Sequence, residues 1–201
     1  MKFLADKKFL VKMVVAVSMF LTVLLVNFLA SNYIKNNFAE IVVSDIAWDN
    51  IPYLPIVWVS EIFLVLAIVY VIFWSFKVDK NYIPYYLVIC FSFQIIRAFL
   101  IILTPLSLPY QYTGVFPIGK ESMMSFGLFP SGHLAYPYMA YLITKSKFAI
   151  LLTFLCGLAL LISRGHYSID LVGTIFIGFA TYVYFNMRIK KYFVEEKPKN
   201  D

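Results

Sequence analysis

The chain contains two histidines, and each stands in a setting where chemistry is possible. His166 is followed four residues later by Asp170, a spacing that puts both on one helix face, about 6 Å apart at Cβ. A carboxylate so placed accepts a proton from one imidazole nitrogen, fixes the tautomer and leaves the other nitrogen as a nucleophile. The same spacing also suits a buried His–Asp hydrogen bond that only ties helices together. His133 closes the run Phe129-Pro130-Ser131-Gly132-His133, which leads into a helix. Ser131 can cap that helix, and Gly132 lets backbone approach a ligand closely. The free amides of its first turn suit a phosphate, and His133 could protonate a leaving alkoxide. An ordinary helix cap with a histidine at the lipid interface reads from the same residues. Arg97 and Arg164 are candidate phosphate clamps, because guanidinium matches phosphate oxygens two at a time and keeps its charge. Interfacial snorkelling accounts equally for Arg164, and Glu61 could be the ion-pair partner of Arg97. Lys120, beside Glu121, reads as a solvated lysine.

These groups must be held by helices in lipid. The 201 residues are 62% hydrophobic and 14% charged, against about 45–50% and about 25% for a soluble domain. A hydrocarbon core of about 30 Å takes roughly 20 helical residues to cross. Runs of that kind occupy about 9–30, 54–76 and 83–104, and three shorter ones about 132–144, 148–163 and 167–187. The reading is a single all-α domain over 1–201, a polytopic membrane protein with six transmembrane helices in one bundle. The apolar run after Met1 to Lys12 is too long for a signal peptide and reads as a retained span. With six crossings, Lys2, Lys7, Lys8, Lys12, Lys77, Lys80, Lys145, Lys147, Arg188, Lys190, Lys191, Lys197 and Lys199 all fall on one side. That side is expected to be cytoplasmic, with both termini. The net charge of +6 is then a topology signal and no nucleic-acid partner is expected. Ionisable groups inside lipid mark function, and Glu61, Arg97, Asp170, His133 and His166 all fall toward the opposite, outer layer.

Two outer connections remain. Residues 36–48 place Phe38, Ile41, Val42 and Ile46 at helical spacing, which predicts a short interfacial helix. Residues 105–131, rich in proline, glycine and aromatics, predict an irregular capping loop. Cys90 and Cys156 lie in apolar runs and read as core residues. Neither a metal nor another cofactor is called for, and the oligomeric state is not encoded legibly.

Pro130-Ser131-Gly132-His133, followed by Ser163-Arg164-Gly165-His166-Tyr167-Ser168-Ile169-Asp170, resembles the type-2 phosphatidic acid phosphatase superfamily. The His-Tyr-Ser-Ile-Asp stretch and the segment from Arg97 to Thr104 are most similar to its sphingomyelin synthase branch. The resemblance implies six membrane helices and a metal-independent phosphohistidine mechanism, with the site facing out of the cytoplasm at the plasma membrane. By it His166 attacks phosphorus, Asp170 orients it and His133 protonates the leaving group. Arg97, Arg164, Ser131 and the Gly132 amide would bind the phosphate. Arg164 stands two residues before the nucleophile where the family's arginine stands six before, which favours Arg97 as the clamp. The reading is a lipid phosphatase or phosphotransferase acting on a membrane lipid phosphate, with water or a lipid hydroxyl as acceptor. A non-catalytic lipid-binding or lipid-scrambling protein on the same scaffold is the alternative.

Overall fold

The computed structural model describes residues 6–38, 42–107 and 129–194. Every regular element among them is an α-helix: α1 Lys7–Asn37, α2 Ile46–Asn50, α3 Val57–Val78, α4 Tyr82–Leu103, α5 Gly132–Thr144, α6 Lys147–Ile162, α7 Ser168–Arg188 and α8 Lys190–Phe193. Four of them, α1, α3, α4 and α7, are long and apolar enough to cross a membrane. At 13 and 16 residues, α5 and α6 fall short of the roughly 20 that a free-standing crossing takes. The chain is therefore an all-helical membrane protein with four helices of spanning length. Its outward surface is apolar, with Phe73, Leu103 and Phe176 exposed on three of those helices.

Sequence boundaries and helix ends differ where packing overrides composition. α1 continues past the apolar run because Ile34 is fully buried against Ala98 and Ile101. The interfacial helix expected over 36–48 is corrected accordingly: Asn36 and Asn37 end α1, and residues 39–41 lie outside those described. The short helix begins instead at Ile46, where Asp45 accepts a hydrogen bond from the Ala47 amide at 2.9 Å and starts a new turn. Of the capping loop, residues 108–128, Lys120 among them, lie outside the described residues.

α5 is the central element, packed on α3, α4, α6 and α7, while α1 lies chiefly along α4. Tyr85, Tyr86, Ile89 and Phe93 of α4 meet Ala135, Met139 and Leu142 of α5 in the main core. Tyr86 donates to the Tyr136 carbonyl at 3.0 Å. At one end of the bundle Lys12 donates to Asn81 Oδ1 and the Phe193 carbonyl, and Lys80 pairs with Asp6 at 2.7 Å. Lys145, at the end of α5, sits over the Tyr182 ring of α7 at 5.0 Å. Since α5 starts beside the first turn of α7, the two helices run side by side as far as Tyr182.

Where α7 begins, a Cβ on Gly173 would stand 2.3 Å from the Phe129 ring. One edge of the Phe129 ring therefore packs directly on Gly173, just ahead of the start of α5. Gly173→Ala is expected to cost about 1–3 kcal/mol, the usual penalty for overpacking. A lowered thermal midpoint in detergent would register it, and an unchanged midpoint would contradict this packing.

Candidate active site

The site is built at the bundle end opposite the lysines, where α7 starts. Asp170, in the first turn of α7, folds back so that its Oδ2 accepts from the Tyr167 amide at 2.9 Å. The same oxygen lies 3.1 Å from His166 Nδ1. One carboxylate oxygen thus closes the helix start and orients the imidazole. With Nδ1 donating to Asp170, Nε2 of His166 carries the lone pair. Both side chains are sealed from solvent, and Asp170 Oδ1 is buried without a hydrogen-bond partner among the described residues. Burial pushes the His166 imidazole below its ordinary value, against the upward pull of Asp170.

The start of α5 is pinned to the same turn. The Ser131 amide donates to the Asp170 carbonyl at 3.2 Å, and the Thr174 hydroxyl reaches the Ser131 and Asp170 carbonyls at 3.1 and 2.7 Å. The Ser131 hydroxyl caps α5, accepting from the Leu134 amide at 3.3 Å. His133 follows in the first turn, its ring centroid 6.0 Å from that of His166. Its Nε2 lies 2.5 Å from Oε1 of Glu61 on α3, which leaves Nδ1 as the second ring nitrogen. His133 and Glu61 are 26% and 39% exposed, whereas His166 and Asp170 are 4% and 0%. The site therefore has a closed side holding one imidazole and an open side holding the other.

Gly132 brings backbone against α4. A Cβ there would stand 3.2 Å from the Gln94 amide and 3.4 Å from Arg97 Nε. As the first residue of α5, Gly132 has an amide with no acceptor within the helix. Gln94 donates to the Gly132 carbonyl at 3.3 Å. Arg97 is buried in α4, with Nε donating to the Pro130 carbonyl at 2.9 Å and Nη1 to Asn27 Oδ1 of α1 at 3.2 Å. The ion pair expected between Glu61 and Arg97 is not formed: Glu61 faces α5 from α3, and the guanidinium turns toward α1 and residue 130.

Arg164 is held elsewhere. It sits in a left-handed conformation, φ 52°, donates through Nη2 to the Trp48 carbonyl at 3.2 Å and lies over Tyr53 at 5.7 Å. Trp48 stacks on Tyr167 at 4.4 Å, and Asp45 accepts from the Ser168 amide at 2.5 Å. Arg164 thus fastens the α1–α3 connection over the turn before α7. The structure gathers His133, His166, Asp170, Ser131, Gly132 and Arg97 in one place, and the described partners of Arg164 are Trp48 and Tyr53 outside it.

Sequence reasoning did not connect Glu61 to His133, nor Asn27 and Gln94 to Arg97 and Gly132. An acid or amide inside an apolar run was the available signal, but it names no partner. Asp45 and Trp48 carried no signal at all. Among the described residues no three His, Cys, Asp or Glu side chains are grouped as metal ligands would be.

No curated protein matches the chain. The AtPDCT1/2 family model matches residues 38–187, a stretch that includes both histidines, Asp170, Glu61, Gln94 and Arg97. This match overturns the resemblance to the type-2 phosphatidic acid phosphatase superfamily and its sphingomyelin synthase branch. Two short histidine motifs and the segment from Arg97 to Thr104 carried that resemblance, whereas the family match extends over most of the chain. The chain therefore belongs to the AtPDCT1/2 family, the phosphatidylcholine:diacylglycerol cholinephosphotransferases, membrane enzymes that transfer a lipid head group.

Proposed function

We propose that the chain moves phosphocholine from phosphatidylcholine to the hydroxyl of a diacylglycerol, with His166 as the covalent carrier. What supports this reading is the opposed pair of imidazoles, 6.0 Å apart, each held by its own carboxylate. His166 Nε2 attacks phosphorus, and the bond from phosphorus to the glycerol oxygen breaks. His133, protonated and paired with Glu61, gives its proton to that oxygen, and diacylglycerol leaves. The imidazolium bearing phosphocholine is stabilised by Asp170. A second diacylglycerol then loses its hydroxyl proton to His133 as its oxygen attacks phosphorus. The phosphorus–nitrogen bond breaks, and both histidines return to their starting states. Arg97, Gln94 and the Gly132 amide line the phosphate position. The more exposed His133–Glu61 side admits the lipid hydroxyls, and the buried His166 side keeps water from the intermediate.

The arrangement in the membrane follows from the charges. The lysine-bearing end, with both termini, faces the cytoplasm and the histidine end faces out. α5 and α6 complete six crossings through their flanking residues, sheltered by the helices around them.

Purified protein in vesicles, given head-group-labelled phosphatidylcholine and an unlabelled diacylglycerol of distinct chain length, tests the reaction. Label is expected in a phosphatidylcholine carrying the new chains. Free phosphocholine as the sole labelled product would replace transfer with hydrolysis, and no chemistry at all would leave a lipid-binding or scrambling protein.

The pH profile carries a second expectation. His166 must be neutral to attack, and its proton affinity lies below the ordinary imidazole value of 6.5. Transfer is therefore expected to hold through pH 6.5 and fall only at lower pH. The same displacement has a stability consequence. The unfolded chain binds this proton more tightly, so stability rises with pH across that interval and is fully present above about 6.5. An acid limb centred above pH 6.5 would contradict the placement of His166 on the buried side of the site.

A further inference from the structure

We infer that a groove at the lysine-bearing end, formed where the two ends of the described chain meet, binds the head group of an anionic phospholipid. The groove, about 550 Å³, is lined by Lys7, Lys8, Val11, Lys12, Lys191 and Tyr192. Its lysines come from opposite ends of the sequence. Lys12 of α1 reaches the Phe193 carbonyl at 2.6 Å and so ties the first helix to α8. Phe193 and Val194 are buried in the main core, with Phe193 against Tyr85 at 6.2 Å. α8 is thereby anchored, and Lys191 and Tyr192 stay exposed beside α1.

Among the described residues, the charged side chains that line the groove are of one sign. Four of its six lining residues are lysines and none is an acid. The acceptors bonded to Lys12 are neutral, and Asp6, which lies next to the groove, is paired with Lys80. The tendency of lysines to gather on the cytoplasmic side accounts for their presence at this end. It does not account for two distant segments converging on one concave site. The chemistry of the walls selects the ligand. Ammonium groups attract a phosphate, and the apolar edge at Val11 continues into the exposed Leu10 and Val14 of α1. An anionic head group in the groove would lay its acyl chains along that face. The lipid would then bridge α1 and α8, and α1 is the helix that supplies Asn27 to Arg97.

The full chain in detergent, titrated with phosphatidylglycerol, the zwitterionic phosphatidylethanolamine or soluble glycerol 3-phosphate and followed by thermal unfolding, tests the assignment. Phosphatidylglycerol is expected to raise the unfolding midpoint, and the other two to leave it unchanged at matched concentration. Lys7→Gln with Lys191→Gln, both exposed positions, should weaken the phosphatidylglycerol effect by roughly an order of magnitude or more. Lys145→Gln with Lys147→Gln, at the same bundle end but outside the groove, should leave it intact. An equal response to phosphatidylethanolamine would overturn an anionic site. An equal response to glycerol 3-phosphate would make it a free-phosphate site and not a lipid one. Equal losses in the two double variants would reduce it to general surface charge.

Discussion

His166→Ala is expected to reduce head-group transfer by about 10⁴-fold or more, because in the proposed mechanism it carries the intermediate and no other described group on the closed side can replace it. Asp170→Asn separates charge from geometry. The amide oxygen of asparagine can take the place of Oδ2 and still accept from Tyr167 and His166. What disappears is the negative charge facing the imidazolium, and the new amide NH₂ lies where buried Oδ1 has no described partner. A loss on the order of 10²- to 10³-fold is expected, the scale for removing one preorganised electrostatic contact. Both variants should be assayed by label exchange between phosphatidylcholine species. Acid-quenched protein should also be examined for phosphocholine on His166. Full exchange by His166→Ala would remove the covalent mechanism altogether. Full exchange by Asp170→Asn would make Asp170 a helix cap only.

Arg97→Met is expected to damage both stability and transfer, whereas Arg164→Ala should leave transfer within about threefold of the parent, since its described partners, Trp48 and Tyr53, lie outside the group of residues around the histidines. Removing the buried Arg97 leaves the Pro130 carbonyl and Asn27 Oδ1 without these donors. Two buried groups left unsatisfied cost about 2–4 kcal/mol. The segment they hold leads directly into Gly132 and His133, so lost stability and a displaced His133 come together. Arg97→Lys keeps the charge but cannot span two acceptors with a planar fork. It is expected to recover part of the thermal midpoint and little of the transfer rate. Arg164, itself half-buried, donates to the carbonyl of buried Trp48. Equal activity losses at the two positions would contradict the separation of roles.

The helices were largely legible because lipid imposes a long apolar run on any segment that crosses it. The run at about 132–144 coincides with α5, and those at 148–163 and 167–187 fall within a residue of α6 and α7. The end of α1 was not legible. Ser31, Asn32 and Asn36 look like a terminus, yet buried Ile34 carries the helix past them. Nor was the short outer helix, whose start depends on one cap at Asp45.

His166 with Asp170, and the Ser-Gly-His run before α5, needed no tertiary information to be singled out. The i, i+4 spacing is local geometry, and a cap with its following turn is local as well. The sequence also gathered the ionisable groups toward one end of the bundle, because helix direction fixes depth. It could not say which of them touch. Glu61 belongs to His133 and not to Arg97, and Arg97 belongs to Asn27 and the Pro130 carbonyl. Arg164 meets Trp48 and Tyr53. Partners lying 33 to 116 residues apart are chosen by how helices rotate about their axes and pack. That rotation is set by the whole core, in which Gly132 and Gly173 permit the close contacts, and not by the spacing of any one segment.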